Sequence, residues 1–333
     1  MQEDEKPLTP RPAFPWARPL PRSKGVLHVV HHPDYVGPPA PNSIFPHDKY
    51  GMVMLALAEM GADMQVHAPE IMPRAWIEAV HDPAYVGQVL TCTVPPEKER
   101  RIGFPVGPRV SRRSQLSPGG TWLAARLALT HGFAANSAGG SHHALSDTGA
   151  GYCVFNDLAI TANRLIAEGD VKRVLILDLD VHQGDGTAAL TAGRDDIFTL
   201  SIHAEKNFPA RKARSTIDVG LPDGTGDKEY LAALADVLPC ALDDFRPELI
   251  LFQAGVDSHG EDKLGRLALT DAGLEARDLY VAGAARARTI PLASALGGGY
   301  GADRMAVARR HARTMVTLAG PLTEPVAKYG GIA

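Results

Sequence analysis

The chain has 333 residues, 45% of them hydrophobic, with 34 basic against 38 acidic side chains and a net charge of -4. That balance gives no basic footprint for nucleic acid and no acidic block of the kind that solvates a tail, so neither nucleic acid nor any other partner is nominated by charge. Cys92, Cys153 and Cys240 are too few and too scattered for a disulfide framework or a CxxC metal knuckle, and a reducing, cytoplasmic setting is expected. No run of about 18 apolar residues occurs, so no membrane span is expected. The first 24 residues are acidic at the start and hold six prolines, unlike a secretory signal; they read as an extended arm, with one domain over 25–333.

From Gly25 onward apolar runs alternate with amphipathic stretches. GVLHVV predicts a strand, followed by helices over 49–60 and 74–80. Segment 98–113 carries six basic residues and reads as irregular, a solvated loop in preference to a docking face for an acidic partner. A helix opened by SPGG is expected over 121–131, then a strand over 133–138 and a helix over 156–168. VKRVLILDLD and DIFTLSIH predict the next strands. A helix from 227 to about 244, the strand ELILFQAG, a helix over 271–288, the strand TIPLASAL and a helix from Ala302 complete the series. Strands separated by helices need crossover connections, which implies an α/β fold: a single doubly wound, mostly parallel sheet with helices on both faces.

In such a sheet, ligands sit beyond the carboxyl ends of the strands. The segments AGGSHHA (138–144), DLDVHQGDG (178–186), SIHAEKNFP (201–209), QAGVDSHGED (253–262) and GGGYGAD (297–303) gather polar residues there. Asp178, Asp180 and His182 alternate, so extended backbone points all three to one side. Carboxylates and an imidazole converging there repel and are poorly solvated unless a cation joins them. Asp257 completes a set of two carboxylates and one imidazole with a position left open, which suits zinc; capping of the following helix is the structural alternative. One of the adjacent His142 and His143 could take a proton from water, with Asp178 or Asp185 behind the ring. Tyr300, after the glycines of GGGY, could donate to an oxyanion or simply pack. The second histidine pair, His31 and His32, reads as a surface pair.

On these residues the chain resembles the histone deacetylase superfamily, within the arginase/deacetylase fold group. GGSHHA, GYCVFND, VLILDLDVHQGDGT, AGVDSHGEDKLGRLALT and GGGYG occur in family order between His31 and Leu318, and HDPAYV (81–86) resembles an early family motif. The Gln of DVHQGDG, SQLSPGGT and the bare GGGY are similar to the class IV and bacterial branch. The resemblance implies one zinc per chain on Asp180, His182 and Asp257. It makes His143, backed by Asp185, the general base, and His142, paired to Asp178, an electrostatic partner and proton donor. Tyr300 would stabilise the oxyanion. It further implies a structural potassium at Asp178, Asp180, the His182 backbone, Ser201 and Ile202. The acyl-lysine tunnel would be walled by Gly151, Tyr152 and Phe208, with Leu264 at its rim. Tyr152 replaces a common phenylalanine, and Lys263 replaces a common proline and brings a cation near the mouth; His259 reads as structural. The implied reaction is hydrolysis of an N-acyl amide, on an acylated lysine of a protein or peptide or on a small acylated amine. The alternatives are an acetylpolyamine amidohydrolase, a binuclear manganese ureohydrolase, and a binding protein of the same fold without activity.

Overall fold

Leucine, isoleucine and valine runs too short for helices pair side by side, and the result among the described residues is one sheet of eight strands with every pairing parallel. The computed structural model describes residues 26–38 and 44–320; the arm expected over 1–24 lies outside them. In chain order the elements are β1 (Leu27–Val30), α1 (Lys49–Glu59), β2 (Met64–His67), α2 (Arg74–Glu78), α3 (Pro83–Leu90), α4 (Pro96–Ile102), α5 (Pro108–His131) and β3 (Phe133–Asn136). There follow α6 (Asp157–Ala167), β4 (Val174–Asp178), α7 (Asp185–Leu190), β5 (Ile197–Ala204), β6 (Ile217–Leu221) and α8 (Asp227–Phe245). The chain closes with β7 (Leu249–Gln253), α9 (Asp271–Ala287), β8 (Leu292–Ala295) and α10 (Arg304–Ala319). The strand order is β2-β1-β3-β8-β7-β4-β5-β6. No helix among the described residues is long and apolar enough to cross a membrane.

Both faces of the sheet are covered, as continuous apolar strands require. Val174 and Ile176 of β4 and Leu249 and Leu251 of β7 pack with Ala124, Ala128, Leu158 and Leu165 of α5 and α6. Their alternates, Leu175, Leu177, Ile250 and Phe252, face the opposite core with Leu234 of α8, Val281 of α9 and Ala308 of α10. The central strands β3, β8, β7 and β4 are buried throughout. Their carboxyl ends deliver the segments around His142, Tyr300, Asp257 and Asp180 to one side of the sheet.

Three expectations are corrected. Segment 98–113 is not irregular: it contains most of α4 and the start of α5. The helix read as opening at SPGG starts earlier, at Pro108, and runs through Pro118. The glycines serve close packing, because a Cβ on Gly119 would stand 1.9 Å from Glu70 O and one on Gly120 would stand 2.0 Å from Tyr35 Oη. His31 and His32 are not an idle surface pair, since His31 Nδ1 lies 2.8 Å from Ser137 Oγ and His32 Nδ1 accepts Asp34 N–H at 3.0 Å. The edge strands β2 and β6 escape the sequence reading because all their side chains but Leu221 are half-buried or exposed, leaving no apolar run to see.

His81 of the HDPAYV motif ties this framework to the site loops. Its Nε2 accepts Asn156 N–H at 2.9 Å and its Nδ1 lies 2.8 Å from Leu145 O. Burial pushes it down to about 4, so the folded state holds it neutral while the unfolded chain protonates near 6.5. Stability from this group is therefore lost as pH falls from about 6.5 toward about 4. His81→Ala should cost about 2 to 4 kcal/mol at neutral pH by leaving two buried backbone groups unpaired. Urea titrations of both proteins should also show a shallower loss of stability over that pH range in the variant.

Candidate active site

β4 ends at Asp178, and the bent segment that follows it places Asp180 and His182; the segment beyond β7 places Asp257. The ligand atoms of Asp180, His182 and Asp257 lie within 4.8 Å of one another, and all three residues are buried. His182 Nδ1 is 3.0 Å from Asp180 Oδ1 and 3.2 Å from Asp257 Oδ2. Backbone N–H groups fix the carboxylates: Val181 donates to Asp257 Oδ1 at 2.9 Å and Gly298 to Asp180 Oδ2 at 2.8 Å. Asp257 Oδ2 is buried without a hydrogen-bond donor of good geometry, although His182 stands beside it. Burial opposes charge on His182, but its two carboxylates outweigh that and push it up to about 10. Burial and neighbouring Asp180 push the Asp257 carboxyl up to about 7. Two carboxylates and an imidazole buried this close together mark the place of a cation, and two oxygens with one imidazole nitrogen suit a divalent transition metal. Asp178 departs from the expected one-sided trio, because the strand ends at that residue and its carboxylate turns to His142 instead.

His142 and His143 are adjacent, 4.0 Å between ring centroids, yet oppositely tuned. His142 Nδ1 meets Asp178 Oδ2 at 2.8 Å, and its Nε2 lies 3.8 Å from Asp180 Oδ1. Burial opposes its charge, but the two aspartates push it up to about 9. His143 Nδ1 meets Asp185 Oδ1 at 2.7 Å. Burial and the charge of His142 outweigh that one aspartate and push His143 down to about 3. One dyad favours the protonated ring and the other the neutral ring, whose Nε2 is unpartnered among the described residues.

Both histidines, Asp180, His182 and Tyr300 line one cavity of about 370 Å³, together with Gly151, Tyr152, Phe208 and Leu264. The Phe208 and His143 rings stand nearly perpendicular with centroids 4.8 Å apart, and the Tyr152 and Tyr300 centroids are 5.6 Å apart. Burial and the charges of Asp180 and Asp257 raise the Tyr300 phenol and keep it protonated. The GGGY turn must be bare here, because a Cβ on Gly298 would lie 1.9 Å from Asp257 Oδ2. Ser201 and Ile202 are buried on β5, with Ser201 in register with Asp178, but Ser201 Oγ is engaged by His203 Nδ1 at 2.9 Å. His259 stays outside the cluster, accepting Glu261 N–H at 3.1 Å and standing 3.6 Å from Asp271.

Sequence reading overlooked three supporting residues. Lys49, 3% exposed, donates Nζ–H to Gly297 O at 2.7 Å, and burial pushes it down to about 8 despite Asp257, Asp180 and Asp262. Asp262 accepts Tyr300 N–H at 2.6 Å and also Leu264 and Gly265 N–H at 2.8 and 3.0 Å. Arg277, wholly buried on α9, donates to Gly255 O at 2.6 Å and reaches Leu179 O at 3.4 Å, joining the two loops that carry the triad. Its counter-ion Asp278, 2.8 Å away, accepts Thr314 Oγ1–H at 2.6 Å. The signal was helical period: Lys49 shares the buried stripe of Val53, Ala56 and Leu57, and Arg277 that of Leu274, Val281 and Ala285.

A description of the histone deacetylase domain family matches residues 43–316. A Picosynechococcus protein named only as uncharacterized is 44% identical over 285 residues, 85% of this chain and 95% of the relative. Histone deacetylase 2 of Arabidopsis thaliana is 37% identical over 185 residues, which span 55% of this chain and 48% of that protein. A crystal structure of the HDA15 HD domain superposes with a TM-score of 0.74 over 90% of each chain at 22% identity, a likeness of fold.

The bridge from Arg277 to both triad loops gives a test of the candidate metal site. In Arg277→Lys the charge on Asp278 stays matched but the shorter side chain cannot span two carbonyls. Competition with a chromophoric chelator should show zinc affinity about 10-fold or more weaker. Thr314→Val, which removes the bond at the far side of Asp278, should leave it within about twofold.

Proposed function

The chain belongs to the histone deacetylase domain family, and from that premise we propose that it is a zinc-dependent deacylase that hydrolyses an N-acyl amide, acyl-lysine first. The observation that carries the reading is the pair of oppositely tuned histidine–aspartate dyads beside the Asp180–His182–Asp257 triad, opening on one cavity with Tyr300. A zinc ion held by that triad would supply Lewis acidity to the amide carbonyl and to the attacking water. His143, with Nδ1–H held by Asp185, accepts the proton of that water at Nε2. His142 keeps its charge against Asp178 and Asp180 and steadies the negative charge that grows on the carbonyl oxygen. Tyr300 donates its phenolic O–H to the same oxygen. Collapse breaks the C–N bond, the proton passes from His143 to the leaving nitrogen, and free amine and carboxylate result. Gly151, Tyr152 and Phe208 wall the acylated arm and Leu264 forms its rim. The structural potassium near Asp178, Asp180, the His182 backbone, Ser201 and Ile202 belongs to the same reading, as does a single catalytic domain over 25–333.

A binuclear manganese centre is disfavoured because one three-ligand cluster is available among the described residues and His259 turns away from it. Zinc-loaded protein should be assayed on peptides bearing acetyl-, butyryl-, octanoyl- and myristoyl-lysine, with acetylputrescine alongside. Turnover of a lysine amide that disappears in His143→Ala is the expected result; cleavage of acetylputrescine alone would move the assignment to polyamines. On the best substrate, Tyr300→Phe should lower kcat by about 10²-fold, and an unchanged kcat would remove the tyrosine from the oxyanion.

A further inference from the structure

The mouth of the cavity carries charge that the proposed chemistry does not use. α4 is pinned to the loop that bears the cavity wall: Gly151 N–H donates to Arg101 O at 3.1 Å, Tyr152 N–H to Ile102 O at 2.7 Å, and Lys98 Nζ–H to Asp147 O at 2.7 Å. Gly103 ends the helix in the left-handed region, φ 102°, and a Cβ there would stand 2.7 Å from the Tyr152 ring. These contacts hold the backbone of Arg100 and Arg101 at a set position on the lip. Both arginines line the cavity and both are exposed. Neither side chain has an ion pair or hydrogen bond among the described residues. On the other lip, Asn207 Nδ2–H donates to Leu264 O at 2.8 Å, and the exposed residues that precede them in the chain carry both signs, Glu205 and Lys206 on one side and Lys263 on the other. Asp180, a member of the triad, is the one carboxylate in the lining.

We propose that this basic lip selects its substrate by charge: the acylated lysine is taken from an acidic peptide segment, whose carboxylates meet Arg100 and Arg101. The inference rests on the deacylase reading for the lysine arm but not for the charge preference. Guanidinium matches carboxylate in a paired geometry, and opposed charges at an entrance raise encounter rate as well as affinity. A polycation meets the reverse, with its free ammonium brought against two arginines and no exposed carboxylate in the lining to receive it. The arginines stand on the exposed lip, while the histidines and the triad are buried, so residues flanking the lysine reach them and the acyl group does not.

The test uses zinc-loaded full chain and acetyl-lysine peptides that differ only in acidic, neutral or basic flanks, at about 0.05 M and about 0.5 M salt. kcat/KM should favour acidic over basic flanks about 10-fold at low salt, and the gap should shrink at high salt. In Arg100→Glu/Arg101→Glu the order should vanish or invert; the ratio between peptides is read, not the absolute rate. Fluorescence anisotropy with labelled copies of the same peptides gives Kd without turnover. Charge-ordered binding with no hydrolysis would sink the deacylase reading and leave the selectivity standing. Equal kcat/KM and Kd across the series at low salt, a preference for basic flanks, or an acidic preference that survives in the double variant would overturn the proposal.

Discussion

Asp180 and Asp257 are buried side by side with one imidazole between them, and the rest of the site is arranged around that repulsion. Isolated carboxylates at such a depth are costly, and an ion pair with a single histidine is a poor remedy. The chain meets part of the cost with backbone N–H groups from Val181, His182 and Gly298. Those donors come from loops beyond different strands, which is why the parallel sheet matters: it brings the ends of β4, β7 and β8 together on one side. Arg277 then fastens two of the loops from below, and Lys49 holds the third through Gly297 O.

The same negative charge separates two chemically identical histidines. His142 faces Asp178 and Asp180, which favour its protonated form; burial and that charge push its neighbour His143 the other way. The number of aspartates each ring sees thus sets the two apart. Asp178 supplies the largest increment: at the end of β4 its Oδ2 meets His142 Nδ1 at 2.8 Å while its Oδ1 accepts Asp180 N–H at 3.2 Å.

The architecture was legible because buried parallel strands read as unbroken apolar runs, and polar clusters after VLILD, LILFQ and LASA had one place to go. Edge strands β2 and β6 left no such trace. Glycine was misread at SPGG, where it admits close neighbours inside α5 instead of opening the helix. At the site, residues following strands were found, while Lys49 and Arg277 were missed because they lie on helices. Their positions on apolar stripes carried the information: a charged side chain at a core position of a helix needs partners, and here those partners are the carbonyls of the site loops. Segment 98–113 was misjudged for a different reason, since charge density conceals a helix whose fixing contacts are made by backbone.

The central claim is that the buried aspartate pair exists to hold one divalent cation. Metal content by mass spectrometry, after zinc reconstitution and exhaustive dialysis, tests it most directly when wild type is set beside Asp257→Asn. One zinc per chain, lost in the variant, is expected; two metals per chain, or a single zinc retained undiminished by Asp257→Asn, would contradict it.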